Sequence, residues 1–433
     1  MNIKQNFKQS WHIIKQNKLF SGIYILGTAL SIAMVMVIVV VWLAKTADIY
    51  PETNRSRMMS QKGLISKLKK DERNYGSWYA SHQFVNDIIR STPTLACACE
   101  VIEPDELTAL RTPEGNKVYS VYALSTDAYF WNVFSFAFLS GTPYTAEEVQ
   151  SAITKVVISK SLAEKLFGDV TAAVGKTLSL NFVDYTVCGV VKDVSGIMTA
   201  SYGDVWIPIS TNPSYESGFS YPYLGSVGCY ILAKSSRDFI KITREVQEKV
   251  ANYNHSQDEY ELDLVGQPEA YYKGIMRQYA NVEPNILGYL GKMALIVLIL
   301  LLVPAINLAG MISSRMTKRM EEMGIRKTFG APKRTILWQI IHENLLMTLM
   351  GGVLGLVLAD IILFIGRDTL VSLIVPQVLD VTANTTFTFS MLMNPFIFLI
   401  ALFICLCLNL LASLIPAIHS LKRPIVDSLN VKK

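Results

Sequence analysis

The sequence contains a run of 26 residues without a charged side chain, residues 19–44. A second run, residues 293–314, has 22 such residues. An α-helix needs about 20 apolar residues to cross the hydrocarbon core of a bilayer, so both runs are long enough to do so. Two further stretches, residues 338–365 and 395–418, are rich in Leu, Ile and Phe. The sequence therefore predicts a four-span α-helical membrane protein.

A large insert, residues 45–283, separates the first two predicted spans. Its patterns alternate between strand and helix, which predicts an extracytoplasmic α+β domain with two subdomains. A helix at 161–167 is expected to begin with a capping box from Ser161 and Glu164, and a hairpin turn is expected at Val183-Asp184. The predicted strands are residues 117–124, 154–158, 177–182, 185–191, 205–209, 229–233 and 260–265, and a second helix covers 238–253.

The distribution of charge predicts the orientation of the chain in the membrane. Lys and Arg outnumber Asp and Glu in residues 1–18, 315–334 and 419–433, whereas the insert is net negative. Basic segments beside spans stay in the cytoplasm, so both termini are predicted to be cytoplasmic and the insert to lie on the outer side of the membrane. The net charge of +5 is thus explained by topology and gives no reason to expect nucleic acid as a partner.

These observations divide the whole chain into nine predicted segments. They are an amphipathic interfacial helix (1–18), transmembrane 1 (19–44), the periplasmic α+β domain (45–283), transmembrane 2 with a stalk extension (284–314), a cytoplasmic coupling helix (315–334), transmembrane 3 (335–366), a short periplasmic loop (367–394), transmembrane 4 (395–418) and a cytoplasmic tail (419–433).

The basic segment at residues 315–332 is the most informative part for function. Met316, Met320, Met323 and Phe329 recur at roughly helical spacing between charged residues, which predicts a short helix along the membrane surface. One face of such a helix is free to contact a partner. The alternative is that its basic residues only hold anionic membrane lipid.

The sequence predicts no catalytic, cofactor-binding or metal site in this chain. Val174-Gly175-Lys176-Thr177 resembles the end of a phosphate-binding loop, but Val170 stands where that loop needs glycine. His342-Glu343 opens like a zinc-protease helix, but Leu346 occupies the place of the second histidine. The six cysteines are predicted to be unpaired or structural, although a disulfide among the four outside the membrane is left open.

Residues 307–355 resemble the signature of the FtsX/MacB permease superfamily of ABC transporters. Its core here is an arginine followed by an acidic-Met-Gly-Ile-Arg-Lys sequence and a Gly-Ala pair. Gly351, Gly352 and Gly355 follow in the third span. Residues 156–194 are similar to the MacB-type periplasmic domain, and residues 416–429 resemble the C-terminal end of the family. The positions implied to couple to an ATPase are Arg319, Glu322, Met323, Gly324, Ile325, Arg326, Lys327, Phe329, Gly330 and Ala331.

The resemblance implies a non-catalytic permease subunit in the bacterial inner membrane. ATP and Mg²⁺ are expected to be bound by a separate cytoplasmic ABC ATPase, since only 18 residues precede the first span here. A second permease copy or a paralogue is expected to complete a dimer. The expected activity is export of peptide-like or amphiphilic cargo, together with a periplasmic adaptor and an outer-membrane channel.

Two alternative functions are compatible with the same resemblance. The first is a lipoprotein-release permease, whose length and number of spans are similar. The second is an FtsX-like signalling scaffold that controls an envelope hydrolase, for which an insert of this size is large.

Overall fold

The computed structural model describes residues 18–112, 117–215, 219–277, 281–300, 333–366, 398–400 and 402–407, and a few single residues elsewhere. The described residues form two compact units. One is helical and consists of the described parts of Met1–Trp42, Leu290–Arg367 and Phe387–Lys433. The other, an α+β unit, is formed by Leu43–Tyr289.

The helices and strands are numbered in chain order. The described helices are α1 (Lys18–Thr46), α2 (His82–Phe84, continued by a π-helical turn over Val85–Arg90), α3 (Phe130–Val133), α4 (Ala146–Gln150), α5 (Lys160–Phe167), α6 (Val170–Ala173), α7 (Phe239–Ser256), α8 (Tyr271–Met276), α9 (Ile286–Leu300), α10 (Lys333–Ile365) and α11 (Phe398–Cys407). The strands are β1 (Met58–Gln61), β2 (Gly63–Leu68), β3 (Asp71–Ala80), β4 (Leu95–Ile102), β5 (Thr108–Arg111), β6 (Val118–Val121), β7 (Ala123–Thr126), β8 (Phe138–Gly141), β9 (Lys155–Ser159), β10 (Thr177–Leu180), β11 (Val183–Val191), β12 (Val205–Pro208), β13 (Leu224–Gly225), β14 (Gly228–Ala233), β15 (Tyr260–Asp263) and β16 (Glu269–Ala270).

Two helices of the described chain are long and apolar enough to cross a membrane. They are Ser21–Thr46, within α1, and Ile341–Ile365, within α10. These two helices correspond to the predicted first and third spans. α9 and α11 are shorter apolar helices at the predicted second and fourth spans. Part of each of these two regions lies outside the described residues, so the count of four spans stays a prediction.

Two β-sheets organise the α+β unit. The larger has the strand order β16-β1-β14-β4-β7-β12-β9-β11-β10-β5-β6, with β8 also paired to β11. The smaller has the order β13-β3-β2-β15. Most pairs are antiparallel, but β9 with β11 and β7 with β12 are parallel. This mixture confirms the predicted α+β class, while the division into two subdomains stays a prediction.

A dense apolar core lies between the larger sheet and helices α5 and α6. Val156 and Ile158 of β9 and Leu178 of β10 are fully buried, and Ala163 of α5 packs in the same cluster. Val156 and Ile158 alternate along β9 and so point to the same side of the sheet. The predicted strands at 154–158, 205–209 and 229–233 agree with β9, β12 and β14 within one residue at either end.

The predicted capping box at the start of α5 is wrong. Ser159 is the N-cap residue, and its side chain accepts a hydrogen bond from the backbone N–H of Leu162. Ser161 instead donates its backbone N–H and its hydroxyl to the carboxylate of Asp193, at 2.9 and 2.6 Å. Ser161 thus bonds to a carboxylate 32 residues away in the sequence and does not form a capping box with Glu164. The predicted end of this helix at residue 167 is confirmed, because Gly168 follows it in the left-handed conformation that closes a helix.

The predicted hairpin turn at Val183-Asp184 is also wrong. The turn lies two residues earlier, at Asn181-Phe182, which have φ values of 46° and 70°. The predicted strand 117–124 is divided into β6 and β7 at Tyr122. There the backbone N–H of Tyr122 bonds to the Asp204 carboxylate, and its carbonyl accepts the N–H of Asp204. The side chain of Asp204 thus accepts a hydrogen bond that the backbone of a neighbouring strand would accept if residues 117–124 formed one regular strand.

Candidate functional site

The residues predicted to couple to an ATPase lie outside the described residues. This set comprises Arg319, Glu322, Met323, Gly324, Ile325, Arg326, Lys327, Phe329, Gly330 and Ala331. Their assignment therefore stays a prediction. The site that the structure does define is in the α+β unit, where the chain arrives from α1 and where it departs towards α9.

Arg55 joins the end of α1 to the α+β unit. Its side chain is 1% exposed, and its Nε atom lies 2.6 Å from Oε2 of Glu52, whose side chain is fully buried. One terminal nitrogen donates to the carbonyl oxygens of Ala44 at 2.7 Å and Ala47 at 3.1 Å. The last carbonyls of a helix have no partner within the helix and carry partial negative charge. Arg55 satisfies the carbonyl of Ala44 in the last turn of α1 and that of Ala47 just beyond it, and thereby fixes the end of this helix.

Glu52 extends this connection into the rest of the unit. Its Oε2 atom accepts a hydrogen bond from the hydroxyl of Tyr271 at 2.8 Å, and its Oε1 atom accepts one from Ser201 at 2.7 Å. Burial alone would lower the pKa of Arg55, but the Glu52 carboxylate outweighs it, so this pKa lies above its usual value. Burial and Glu52 also raise the pKa of Tyr271 well above its ordinary value. Both side chains therefore remain donors to Glu52. We call Glu52, Arg55, Ser201 and Tyr271 the entry junction.

A second buried arginine holds the chain where it leaves the unit. Arg277 follows α8 directly, and its Nε atom lies 2.6 Å from Oε1 of Glu269. Its terminal nitrogens donate to the carbonyls of Val282 at 2.6 Å and Val265 at 3.0 Å. The two side chains of this ion pair are 1% and 7% exposed. We call Glu269 and Arg277, with these two carbonyls, the exit junction.

The two junctions lie next to each other in the larger sheet. β1 follows the turn that contains Arg55, and it pairs with β16, in which Glu269 stands opposite Ser60. α8, which begins with Tyr271, connects β16 to Arg277. A buried ion pair resists separation because an unpaired charge in the interior is very costly. The two ion pairs therefore fix the chain at the points where it enters and leaves the α+β unit.

Sequence reasoning missed both junctions. Glu52 and Arg55 are three residues apart, shortly after an apolar run, and this spacing was a visible signal. Nothing in the sequence showed that both would be buried, since charged residues at a span boundary are usually solvated. Tyr271 and Ser201 are too distant in sequence to be associated with them.

A separate buried polar cluster surrounds Arg90. Its guanidinium contacts the carboxylates of Glu100, at 2.8 Å, and Asp127, and lies over the ring of Tyr129. Burial and the nearby Glu100 carboxylate raise the pKa of Asp127 to about 8. Arg90 also donates to the side-chain oxygen of Asn86 at 2.6 Å. The cluster thus holds two carboxylates around one arginine.

The described part of the chain contains no group of three or more His, Cys, Asp or Glu side chains placed to hold a metal ion. All six cysteines are within the described residues, and each is a free thiol. Burial raises the pKa of Cys99 and Cys229 well above the ordinary value, so these thiols are protonated and unreactive.

Two family models match the chain. Residues 21–249 match a MacB-like periplasmic core domain. Residues 294–425 match an FtsX-like permease C-terminal domain. The first match covers more than half of the chain and contains Glu52, Arg55 and Ser201 of the entry junction. Together they confirm the resemblance that the sequence motifs indicate.

The chain is similar, at low sequence identity, to several ABC transporter proteins. An uncharacterized ABC transporter permease, YknZ of Bacillus subtilis, is 27% identical over 52% of this chain and 53% of its own length. The macrolide export ATP-binding/permease protein MacB 1 of Yersinia pestis is 25% identical over 60% of this chain and 38% of its own length. The chain thus matches about half or less of the length of these relatives. A solved extracellular domain of YknZ from Gram-positive bacteria is 15% identical over 47% of this chain and all of that domain, with a TM-score of 0.33, too low to carry a conclusion.

The matched domains occur in the same order in which the chain presents its α+β unit and its C-terminal helices. Membership of a membrane permease family fits the two apolar helices of spanning length. The chain belongs to the ABC transporter permeases that combine a MacB-like periplasmic core domain with an FtsX-like permease domain.

Proposed function

We propose that this chain is the permease subunit of a MacB-like transporter, which uses ATP hydrolysis by a separate ATPase subunit to move its periplasmic domain and export peptide-like or amphiphilic cargo. The entry junction is the observation that supports this most directly. A helix of 29 residues, α1, ends on a buried ion pair of the α+β unit instead of in a flexible linker. A subunit that transmits movement needs such a connection.

In the proposed mechanism, movement begins at the cytoplasmic segment 315–334. Closure of the ATPase subunits displaces this segment through the ten coupling residues, among them Met323 and Phe329. The displacement passes to the adjoining spans and from them to the periplasmic domain, which expels cargo from the periplasm. This mechanism needs no transport path through the spans. It also places ATP and Mg²⁺ in the partner and leaves the permease without a cofactor of its own.

The proposed assembly is a dimer of four-span permeases in the inner membrane with cytoplasmic termini. The charge bias of residues 1–18, 315–334 and 419–433 supports this orientation. A periplasmic adaptor and an outer-membrane channel complete a tripartite efflux assembly, and membrane lipid surrounds the spans. Export is favoured over lipoprotein release and over signalling because relatives of this chain are named for macrolide export and pyoverdine export.

The test is a charge-preserving substitution in the coupling segment. Met323→Gln and Phe329→Gln remove two apolar side chains and keep every Lys and Arg. The purified double variant is expected to lose a co-expressed ABC ATPase in pull-down experiments, while its insertion and topology stay normal. The matched control is Arg57→Met, which leaves the segment intact and is expected to retain the ATPase. Unchanged ATPase binding by the double variant would contradict the docking role and leave lipid anchoring as the function of this segment.

A further inference from the structure

Three glycines of α10 have no role in the proposed coupling to an ATPase. Gly351, Gly352 and Gly355 stand in the middle of a helix of 33 residues. Glycine is unfavourable inside a helix compared with alanine, because it loses more conformational freedom on folding. Three glycines within five residues therefore need a physical reason.

The structure provides that reason for two of them on the surface of α1. A Cβ atom on Gly355 would lie 2.7 Å from the carbonyl oxygen of Ala29 and 3.0 Å from Cβ of Ile32. A Cβ atom on Gly351 would lie 2.9 Å from Cβ of Thr28. These distances are shorter than real Cβ atoms tolerate, so only glycine allows α1 and α10 to approach this closely. Close approach through small residues is a general means of helix association in membranes.

A buried hydrogen bond joins the same two helices one turn away. The hydroxyl groups of Tyr24 in α1 and Thr348 in α10 are 2.6 Å apart. Tyr24 is 5% exposed and Thr348 is fully buried. Separating the two helices breaks this hydrogen bond in an apolar environment, where no water replaces it, and the loss costs free energy. This bond is independent of the glycine contacts and restricts sliding of one helix along the other.

The glycines of α1 itself make no comparably close approach. In the part of the chain that the structure describes, a Cβ atom on Gly22 or Gly27 meets no atom within 4 Å. Gly352 of α10 faces Leu402 of α11 instead, where a Cβ atom would lie 2.5 Å from a methyl carbon. We call Tyr24, Thr28 and Ala29, with Thr348, Gly351 and Gly355, the α1–α10 seam.

We infer that α1 and α10 move as one rigid pair, with Tyr24, Thr348, Gly351 and Gly355 as the positioning residues that pass movement from the coupling segment to α1. α10 begins at Lys333, shortly after the coupling residues, whereas α1 ends at Thr46, where Arg55 donates to the carbonyl of Ala44 in its last turn. The seam is therefore the step that connects the cytoplasmic input to the entry junction. The direction of this movement rests on the proposed function, but the rigid pairing can be measured without it.

The experiment measures the distance between α1 and α10 in the full chain in lipid nanodiscs. Leu26 and Val353 are exposed and are replaced by p-acetylphenylalanine for spin labelling, which leaves the native thiols unchanged. An excess of unlabelled chain keeps the measured pairs within one molecule. Double electron–electron resonance is expected to give one narrow distance peak. Gly355→Leu is expected to broaden or split it, whereas Gly27→Leu, the matched control in α1, is expected to leave it unchanged.

Conservative substitutions separate positioning from general destabilisation. Thr348→Ser keeps the hydroxyl and is expected to retain the narrow peak, whereas Thr348→Val has the same shape without the hydrogen bond and is expected to broaden it. A broad peak in the unmodified pair would overturn the inference. So would equal broadening by Gly355→Leu and Gly27→Leu.

The same distance is then measured in the complex with the ATPase, before and after trapping with ATP and vanadate. A constant distance supports movement as one pair, and a shifted distance refutes it. The Met323→Gln, Phe329→Gln variant, which is expected to lose the ATPase, is expected to give the same narrow distance peak as the unmodified permease when each is measured without the ATPase. An error in the rigid pairing of α1 and α10 is thus distinguished from an error in the proposed docking role of the coupling segment.

Discussion

Replacement of Arg55 by methionine tests the entry junction directly. The substitution removes the ion pair with Glu52, the bonds to the carbonyls of Ala44 and Ala47, and a contact with the sulfur of Met198. Glu52 then remains fully buried with only hydroxyl partners. Removing one member of a buried pair costs about 3–5 kcal/mol, and the lost carbonyl bonds place the expected cost near the upper end.

A loss of about 5 kcal/mol lowers the midpoint of thermal unfolding by roughly 10–20 °C for a unit of this size. The assay is tryptophan fluorescence of the purified chain during heating. Trp206 is fully buried, and its indole N–H donates to the carbonyl of Ser201 at 3.2 Å, so it reports on the junction. The matched control is Arg57→Met, because the Arg57 side chain lies in the same turn but, within the described part of the chain, bonds only to the side chain of Asn54.

The double variant Arg55→Met, Glu52→Gln gives the decisive comparison. It removes both charges and keeps an oxygen that accepts a hydrogen bond from Tyr271. It is expected to be more stable than Arg55→Met alone by about 2 kcal/mol, because no uncompensated charge stays buried. If Arg55→Met lowers the midpoint no more than Arg57→Met, or if the double variant is the least stable, the junction does not stabilise the unit as argued.

Three further predictions concern separate features. Gly141 and Gly168 both have positive φ, but a Cβ atom on Gly141 would collide with the carbonyl oxygen of Cys188, whereas one on Gly168 meets nothing within 4 Å among the described residues. Gly168→Ala is expected to cost about 1–2 kcal/mol and Gly141→Ala clearly more, measured by urea unfolding; equal losses would contradict the collision. The raised pKa of Asp127 means that the folded protein keeps a proton that the unfolded chain releases near pH 4, so stability is expected to fall as pH rises from about 4 to 8, by at most about 1.4 kcal/mol per unit from this group. Asp127→Asn should flatten that slope in melts at several pH values, and an unchanged slope would assign it to other groups. Ser120→Cys in a cysteine-free background is expected to react with a membrane-impermeant maleimide in cells whose outer membrane alone is opened; reaction only after the inner membrane is breached would reverse the predicted topology.

The sequence predicted those parts of the fold that depend on local patterns. An uncharged run of sufficient length identified α1, a stretch rich in Leu, Ile and Phe identified α10, and strand periodicity identified β9, β12 and β14. Features decided by distant residues were missed or misplaced. Ser161 could not be recognised as a partner of Asp193, because 32 residues separate them.

The candidate site shows the same limit more strongly. The motif at residues 315–332 can be recognised from the sequence because its residues are consecutive, but it lies outside the described residues. The entry junction requires Glu52, Ser201 and Tyr271 to meet, and no local pattern relates residues separated by 149 and 219 positions. The glycines of α10 were noticed as part of a motif, but their role became clear only from their distances to α1.

The position of β1 in the larger sheet has a consequence for how the protein folds during synthesis. Both neighbours of β1, which are β14 and β16, lie near the end of the α+β unit, at Gly228–Ala233 and Glu269–Ala270. β1 therefore has no strand to pair with until almost the whole α+β unit has been translated. Contacts of such large sequence separation form slowly, because the loop they close must be ordered first. An emerging chain of this kind exposes an unsatisfied strand next to a newly inserted helix, which makes early protection by a chaperone valuable for the yield of native protein.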